Sequence, residues 1–202
     1  HRKDDYTIGG TYHFSEVGGK DIDAKILERV TDRYFSLLKR GIRQKDILIL
    51  SAYNVGECGV DKINDVIQAE VNPPSTAKKE FLIGKHTIIR VGDRVINIKN
   101  DYKALTMECY QKLKESDGML SEEDLEDTTT IFNGQRGVAV DVLDDGKALV
   151  CNFDNEIIVF TKMKAKNIKL AYAISYHKSQ GQESPYVISV VTPNQSRLLN
   201  RN

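Results

Sequence analysis

Two short apolar runs separated by a polar segment constrain the fold of this chain more than any other feature. The runs are residues 170–174 (LAYAI) and 186–191 (YVISVV), and the segment between them is residues 175–184. Runs of this length, rich in Ile, Val, Ala and Tyr, are typical of strands buried on both faces of a parallel sheet. In open α/β sheets ligands bind at the carboxyl ends of the strands, so the polar segment is the first candidate for a binding site.

The first third of the chain alternates between predicted helices and strands. Residues 21–40 form the clearest helix, because apolar side chains recur at steps of three and four along one face. A short buried strand at 46–50 (DILIL) leads into a loop with two glycines at 51–59, and a second helix follows at 60–71. This alternation predicts an α/β fold with a parallel sheet and right-handed crossovers.

The second half of the chain changes to a period of two. Residues 136–143, 147–153 and 156–160 alternate apolar and polar side chains and are joined by turn residues, which predicts an antiparallel meander and a small β-barrel. Because α/β segments lie on both sides of this meander, we interpret it as an insertion. A basic cluster follows it, formed by Lys162, Lys164, Lys166 and Lys169.

An acidic segment lies between the two patterns. Residues 103–114 are predicted to form a short helix, and residues 115–127 then carry seven acidic side chains and neither Lys nor Arg. We expect a mobile excursion there, since little apolar surface is available to offset the entropy of ordering. A partner-binding acidic segment is the alternative.

Composition narrows the class of protein. Lys plus Arg and Asp plus Glu both number 29, and this balance argues against a simple basic nucleic-acid clamp but permits local patches. The three cysteines are far apart, which indicates neither a zinc site nor a disulfide framework and favours a reducing cytoplasm. No apolar run has the length of a membrane span and no signal peptide is evident, so we expect a cytoplasmic protein without a membrane partner. Since His1 is not an initiator residue, we expect a piece of a longer protein.

The polar segment contains groups suited to phosphate and ribose. Gly181 permits close approach of a phosphate to the backbone, and the Glu183 carboxylate can accept two hydrogen bonds from a ribose diol. Lys178 and Ser179 can hold a phosphodiester without reading sequence, and His177 can stack on a base or bind a phosphate. A polar surface loop without function is the bland alternative. A nucleophile pair between His177 and Cys58 is disfavoured, because nothing in the sequence marks that cysteine as activated.

These residues also carry a resemblance. The motif HKSQGQE at 177–183 resembles a motif of superfamily-1 helicases of the RecD-like, 5′-to-3′ branch, which includes the exodeoxyribonuclease V alpha subunit. Other segments resemble that family in the same order, and the similarity spans residues 12–202. They are residues 51–64 (SAYNVGECGVDKIN), 91–102 (VGDRVINIKNDY), 131–142 (IFNGQRGVAVDV) and 196–202 (SRLLNRN).

The resemblance implies the second motor domain of a P-loop helicase. Its expected fold is a RecA-like parallel sheet with an inserted small antiparallel β-barrel of the Src-homology-3-like type. The implied divisions are a first part of the motor domain at 1–103, the acidic excursion at 104–130, the barrel at 131–165 and the completed motor domain at 166–202. The last helicase motif and its γ-phosphate arginine are expected beyond residue 202, so neither Arg197 nor Arg201 receives that role.

The resemblance also implies a function, namely half of an ATP-dependent DNA helicase or translocase of bacterial or phage type, with roles in DNA repair and recombination. Its implied partners are single-stranded DNA, the missing first motor domain and other recombination subunits, and its cofactors are ATP and Mg²⁺. The implied nucleotide-binding residues are Gly181, Gln182 and Glu183. The implied DNA-binding residues are His177, Lys178, Ser179, Tyr53, Asn54, Asn100 and Asn133.

The chain departs from the family in ways that qualify these expectations. It contains no GxxxxGK[ST] phosphate loop, so we expect no catalytic residue and no magnesium ligand in it, and no ATP hydrolysis by the isolated chain. Asn54 stands where many relatives have Arg or Lys, which weakens its phosphate role. One alternative is a non-catalytic nucleic-acid-binding module that uses the barrel and the lysine cluster. Another is an unrelated small-molecule hydrolase, for which the sequence contains no triad or metal set.

Overall fold

The structure is a computed structural model that describes residues 6–8, 12–116 and 118–192. Its helices are α1 (Ile22–Lys39), α2 (Val60–Val71), α3 (Met107–Glu115) and α4 (Lys162–Ala165). The strands are β1 (Tyr6–Ile8), β2 (Tyr12–Phe14), β3 (Ile47–Ser51), β4 (Glu80–Ile83), β5 (Thr87–Arg90), β6 (Arg94–Asn97), β7 (Asp101–Ala104), β8 (Thr129–Ile131), β9 (Arg136–Leu143), β10 (Ala148–Phe153), β11 (Glu156–Thr161), β12 (Ile168–Leu170), β13 (Ala173–Ser175) and β14 (Tyr186–Ser189). The segment 196–202, with Arg197 and Arg201, lies outside the described residues.

The predicted parallel sheet is present and has the order β13-β3-β14. Strand β3 is central and buried, as the apolar run DILIL indicates, and both neighbours run parallel to it. Helix α1 contacts β14 and helix α2 contacts β13, each through its apolar stripe. Strand β14 differs from the expectation of burial on both faces. It is an edge of this sheet, and Tyr186 and Val187 are exposed.

The predicted antiparallel part is a five-stranded sheet with the order β11-β10-β9-β6-β12. Among the described residues its hydrogen-bonded ladder is open, so the structure does not show the closed barrel that the sequence predicts. Two of its five strands also lie outside the predicted 131–165 insertion. The cause is non-local pairing, in which β6 pairs with β9 on one side and with β12 on the other. The domain boundaries drawn from the sequence stay a prediction.

The run at 170–174 was expected to be one strand, but it belongs to two sheets. Strand β12 ends at Leu170 in the antiparallel sheet, and β13 begins at Ala173 in the parallel sheet. The Asn64 side chain fixes this change of direction. Its amide nitrogen donates to the carbonyls of Leu170 (3.3 Å) and Ala173 (3.0 Å), and its oxygen accepts from the Ala173 amide (2.8 Å).

Helix α2 presents a second stripe beside its apolar one. Asn64, Gln68 and Asn72 follow one another at steps of four, and all three are buried. Gln68 and Asn72 both donate to the carboxylate of Asp93, which is fully buried in the turn between β5 and β6. The Tyr172 hydroxyl donates to the same carboxylate (2.8 Å). Helix α2, the β5–β6 turn and the link between the two sheets are therefore tied to one buried group.

The segment expected to be an acidic excursion packs on the antiparallel sheet where it is described. Helix α3 begins at Met107 rather than at residue 103, because Asp101–Ala104 pairs with β8 as a strand. Lys112 forms an ion pair with Asp127 (2.7 Å), and Lys114 pairs with Asp144 (2.6 Å). One lysine of the preceding helix thus pairs with an acid of the segment, and a second lysine ties the helix to the turn after β9. Whether the segment is mobile stays a prediction.

Candidate nucleotide and nucleic-acid interface

The polar segment begins where the parallel sheet ends. Ser175 of β13 pairs with Ser51 of β3, so the segment starts beside the loop that follows β3. The Tyr176 hydroxyl reaches Ser189 at the end of β14 (2.5 Å). The carboxyl ends of all three strands therefore meet at one edge, which is where ligands bind in sheets of this type.

The first half of the segment is a short 3-10 turn, Tyr176–Ser179. His177 is exposed, whereas the Ser179 hydroxyl donates to the Tyr176 carbonyl (2.8 Å) and is engaged within the turn. Burial lowers the pKa of Lys178, and the charge of Lys169 lowers it further. A cation under these conditions gains from a nearby anion, because an opposite charge offsets both causes.

The second half of the segment turns at Gly181, whose φ of +76° lies in the left-handed region. The Gln182 amide closes the turn by donating to the Ser179 carbonyl (2.9 Å), and its side chain donates to the Gly134 carbonyl (2.6 Å). Arg136 of β9 donates to the Glu183 carbonyl (3.1 Å). The segment is therefore fastened to the antiparallel sheet, and Gln182 has a structural contact in addition to its predicted nucleotide role.

The Glu183 carboxylate differs from these neighbours in being exposed. No partner for it is found among the residues that the structure describes. Its backbone position is nevertheless fixed through the Arg136 contact. A free carboxylate on a fixed backbone can accept hydrogen bonds from a diol, as the sequence predicts.

Arg136, which contacts this segment, and its neighbour Arg94 were not selected from the sequence. Arg94 on β6 and Arg136 on β9 are diagonal neighbours, since Arg94 pairs with Val138 and Ile96 pairs with Arg136. Burial lowers the pKa of both guanidinium groups, and the charge of Arg136 contributes to the effect on Arg94. Neither residue stands in a motif that the sequence marks as basic, so only the pairing of β6 with β9 reveals them.

The predicted DNA-binding residues Asn100 and Asn133 come together. The Asn133 amide donates to the Asn100 side chain (2.7 Å), and the next amide, that of Gly134, donates to the Asn97 carbonyl (2.8 Å). We call Asn97, Asn100 and Asn133 the asparagine corner. It lies beside the polar segment, since the Gln182 side chain donates to the Gly134 carbonyl. The structure thus brings residues from three separate motifs to one place.

Tyr53 and Asn54 lie in the loop after β3, at the same edge of the parallel sheet. Their carbonyls accept from the amides of Val60 and Asp61 at the start of α2, both at 2.9 Å. Both side chains are exposed. The backbone of this loop therefore closes the helix N-terminus, and the side chains remain at the surface.

The lysine cluster is only partly available to a ligand. Lys164 is engaged by the Asp101 carboxylate (2.7 Å) and the Lys103 carbonyl (2.6 Å). The other members are exposed: Lys162, Lys166 and Lys169.

Two observations concern the His177–Cys58 pair and the hydrolase considered from the sequence. Burial, reinforced by the neighbouring Asp23, raises the pKa of Cys58 to about 11, so its thiol is protonated at neutral pH. Within the described ranges, no group of three or more His, Cys, Asp or Glu side chains could hold a metal ion. In the same ranges, no helix has the length and apolar character needed to cross a bilayer.

Comparison with known proteins gives a relative in line with the motifs. An ATP-dependent RecD2 DNA helicase from Deinococcus radiodurans is 26% identical over 156 residues, which are 77% of this chain and 18% of that protein. The chain therefore spans about a fifth of the length of this curated relative. No model of a protein family matches the chain.

Among solved structures, unliganded Pif1 from a Bacteroides species aligns with 73% of this chain and 47% of its own, at 18% identity and a TM-score of 0.37. Structural similarity at that level adds no argument about function. The RecD2 match, by contrast, arises from sequence and covers most of the chain. It confirms the resemblance carried by the ordered motifs: this chain is similar to part of a RecD-like superfamily-1 DNA helicase.

Proposed function

We propose that the chain is part of an ATP-dependent DNA helicase or translocase and forms its second, RecA-like motor domain. The open antiparallel sheet corresponds in this proposal to the Src-homology-3-like insertion. ATP and Mg²⁺ are held with a first motor domain that supplies the phosphate loop. Other recombination subunits are further candidate partners.

One observation carries the proposal: residues 176–183 lie at the carboxyl edge of the parallel sheet and are fastened to the antiparallel sheet. The Gln182–Gly134 and Arg136–Glu183 contacts make these fastenings. A segment held in this way can transmit a change at one ligand to the other. We assign His177, Lys178 and Ser179 to the backbone of single-stranded DNA.

Tyr53, Asn54, Asn100 and Asn133 extend the DNA-facing surface in this proposal. Gly181, Gln182 and Glu183 face the nucleotide, with the free Glu183 carboxylate on the ribose. Because the chain contains no phosphate loop, we expect the isolated 202-residue chain not to hydrolyse ATP, with or without single-stranded DNA.

Salt-dependent binding of an oligothymidine to the chain tests the DNA assignment. Lys178→Ala is expected to weaken binding and to reduce the slope of log K against log salt by about 0.7, the value for one lost phosphate contact on a single strand. The matched control is Lys147→Ala, since Lys147 is exposed in the turn between β9 and β10, away from the polar segment. An unchanged slope for Lys178→Ala would remove this lysine from the interface.

In this proposal ATP binds between both motor domains, so the role of Glu183 is tested in the full-length helicase. Glu183→Ala is expected to raise KM for ATP or to lower turnover, and Glu183→Gln to restore part of the loss, because an amide oxygen still accepts from a diol. If Glu183→Ala left both constants unchanged, the ribose role would be wrong.

A second function is favoured by the exposure of Lys162, Lys166 and Lys169. These side chains support a non-catalytic nucleic-acid-binding module built on the antiparallel sheet. Filter binding with the isolated chain discriminates between the two. Tight, salt-sensitive binding without a partner domain favours the module, whereas weak binding favours half of a helicase site.

A further inference from the structure

Two aromatic side chains stand exposed beside the asparagine corner, although neither was selected from the sequence. Tyr102 on β7 is 66% exposed, and Phe132, immediately after β8, is 52% exposed. Isolated apolar side chains are common on protein surfaces and need no explanation. These two are different because Asp101 pairs with Ile131, which places the segments of both rings side by side next to the proposed DNA-facing residues.

The Asn100 side chain fixes the relation between the two aromatic segments. Its nitrogen donates to the Tyr102 hydroxyl (3.1 Å), and its oxygen accepts from the Asn133 amide (2.7 Å). The Phe132 backbone is held in turn, since its amide donates to Gln135 (2.6 Å) and its carbonyl accepts from Asn97 (3.0 Å). Two rings on a fixed backbone lose little freedom when a planar ligand stacks on them.

The charge around the two rings suits a phosphate backbone. Lys99 and Lys103 flank Tyr102 on either side and are exposed. The intervening acid, Asp101, is neutralised by its ion pair with Lys164 (2.7 Å). On the other side, Gly134 lies two residues after Phe132 and accepts a hydrogen bond from the Gln182 side chain of the polar segment, beside the Lys178 carbonyl. Aromatic rings alternating with cations are the arrangement that proteins use for single strands.

We propose that Tyr102 and Phe132 form a stacking platform for unpaired bases of a single DNA strand whose phosphates lie along these lysines. The inference rests on the proposed function and deepens it. It adds contacts to bases, whereas the residues assigned above contact the backbone. Because every base has a flat face, the platform binds without preference for sequence.

Single tryptophan reporters test the platform directly, since the chain contains no tryptophan. Phe132→Trp and Tyr102→Trp each place the chain's one indole on the platform. Met119→Trp is the control, because Met119 is 76% exposed and follows α3, which contacts Asp144 at the far end of β9. Each variant is titrated with an oligothymidine and with an abasic oligonucleotide of equal length. We expect the oligothymidine to quench the two platform indoles and the abasic strand not to, with the control unaffected by both.

Affinity gives the second readout. Joint replacement, Tyr102→Ala with Phe132→Ala, is expected to weaken oligothymidine binding at least about fivefold, the lower end for one stacked base, and to leave abasic binding unchanged. Tyr102→Phe with Phe132→Tyr should bind as the natural chain does. Equal affinity of the natural chain for both strands, or absence of quenching, overturns the platform while DNA binding stands. Failure of both strands to bind overturns the DNA-binding proposal, and the platform with it.

Discussion

Asp93 provides the sharpest test of how this fold is held together. Its carboxylate is fully buried and accepts four hydrogen bonds, from the side chains of Gln68 (2.5 Å) and Asn72 (2.6 Å), the Arg90 amide (2.7 Å) and the Tyr172 hydroxyl (2.8 Å). The first and third of these donors reach Oδ2, and the other two reach Oδ1. We predict that Asp93→Asn strongly destabilises the chain although it changes almost no volume.

The magnitude follows from this division of donors. Asparagine replaces one carboxylate oxygen by an amino group, and whichever way the amide faces, two of the four donors then oppose another donor. Each buried donor left without an acceptor costs about 1–3 kcal/mol. The expected loss in the free energy of unfolding is therefore about 2–6 kcal/mol, a large part of the stability of an ordinary domain. No cavity contributes, since the side chains are nearly isosteric.

Urea unfolding monitored by circular dichroism measures this loss. The midpoint should fall with the slope m unchanged, because the exposed surface of the unfolded state is the same. Asp145→Asn is the matched control: Asp145 is exposed in a turn with a φ of 50°, a conformation that asparagine accepts. A third variant, Tyr172→Phe, removes one donor only and is expected to lose less than Asp93→Asn. If Asp93→Asn were within about 0.5 kcal/mol of the control, the reasoning on buried donors would be refuted.

Two further predictions concern packing and pH. Gly137→Ala would place its Cβ 2.7 Å from the Phe153 ring, so it is expected to lower the free energy of unfolding by about 1–3 kcal/mol. Gly18→Ala is the control, since no atom lies within 4 Å of its Cβ, and it should change that free energy by less than about 0.5 kcal/mol. Equal urea midpoints for the two variants would contradict the crowding at β9. Hydrogen bonds from Lys114, and after it Tyr110, hold the pKa of Asp144 below its usual range. The stability that this carboxylate contributes is therefore fully present above about pH 4, where an unfolded aspartate is ionised. It is lost as the pH falls through the lower pKa of the folded state. Asp144→Asn should therefore lose less stability than the natural chain on acidification below pH 4, and parallel acid-unfolding curves would speak against this linkage.

Local patterns predicted the elements well where side-chain periodicity decides them. Helix α2 has the predicted bounds 60–71 and strand β9 the predicted bounds 136–143, because an apolar stripe and a strict alternation each permit one conformation. A parallel sheet was also predicted, and the structure shows it with β3 between β13 and β14. The alternation of helix and strand along the first third of the chain favoured parallel neighbours.

The errors came from contacts between distant segments. Residues 170–174 are apolar throughout, and such a run is equally compatible with one strand or with two strands in different sheets. The Asn64 side chain decides between them, and it is more than a hundred positions away along the chain. The spacing of Asn64, Gln68 and Asn72 was a usable signal, because amides at steps of four beside an apolar stripe indicate a buried polar face.

The sequence predicted which residues belong to the candidate site but not how they are arranged. The motifs selected His177–Glu183, Asn100 and Asn133, and the structure brings the two asparagines together beside the polar segment. The contact of Gln182 with Gly134, by contrast, has no local signature. Tyr102 and Phe132 were passed over because a lone exposed aromatic has no periodicity to mark it.

The link between the two sheets has a mechanical consequence. Only Ala171 and Tyr172 separate β12 from β13, and both are buried. Hydrogen bonds from Asn64 hold the backbone on either side, and the bond to Asp93 holds the Tyr172 side chain. Because this link is short and its backbone and side chains are hydrogen-bonded, the two sheets have little freedom to move relative to each other. If single-stranded DNA binds at the antiparallel sheet as proposed, a force on that DNA would therefore be transmitted directly to the parallel sheet.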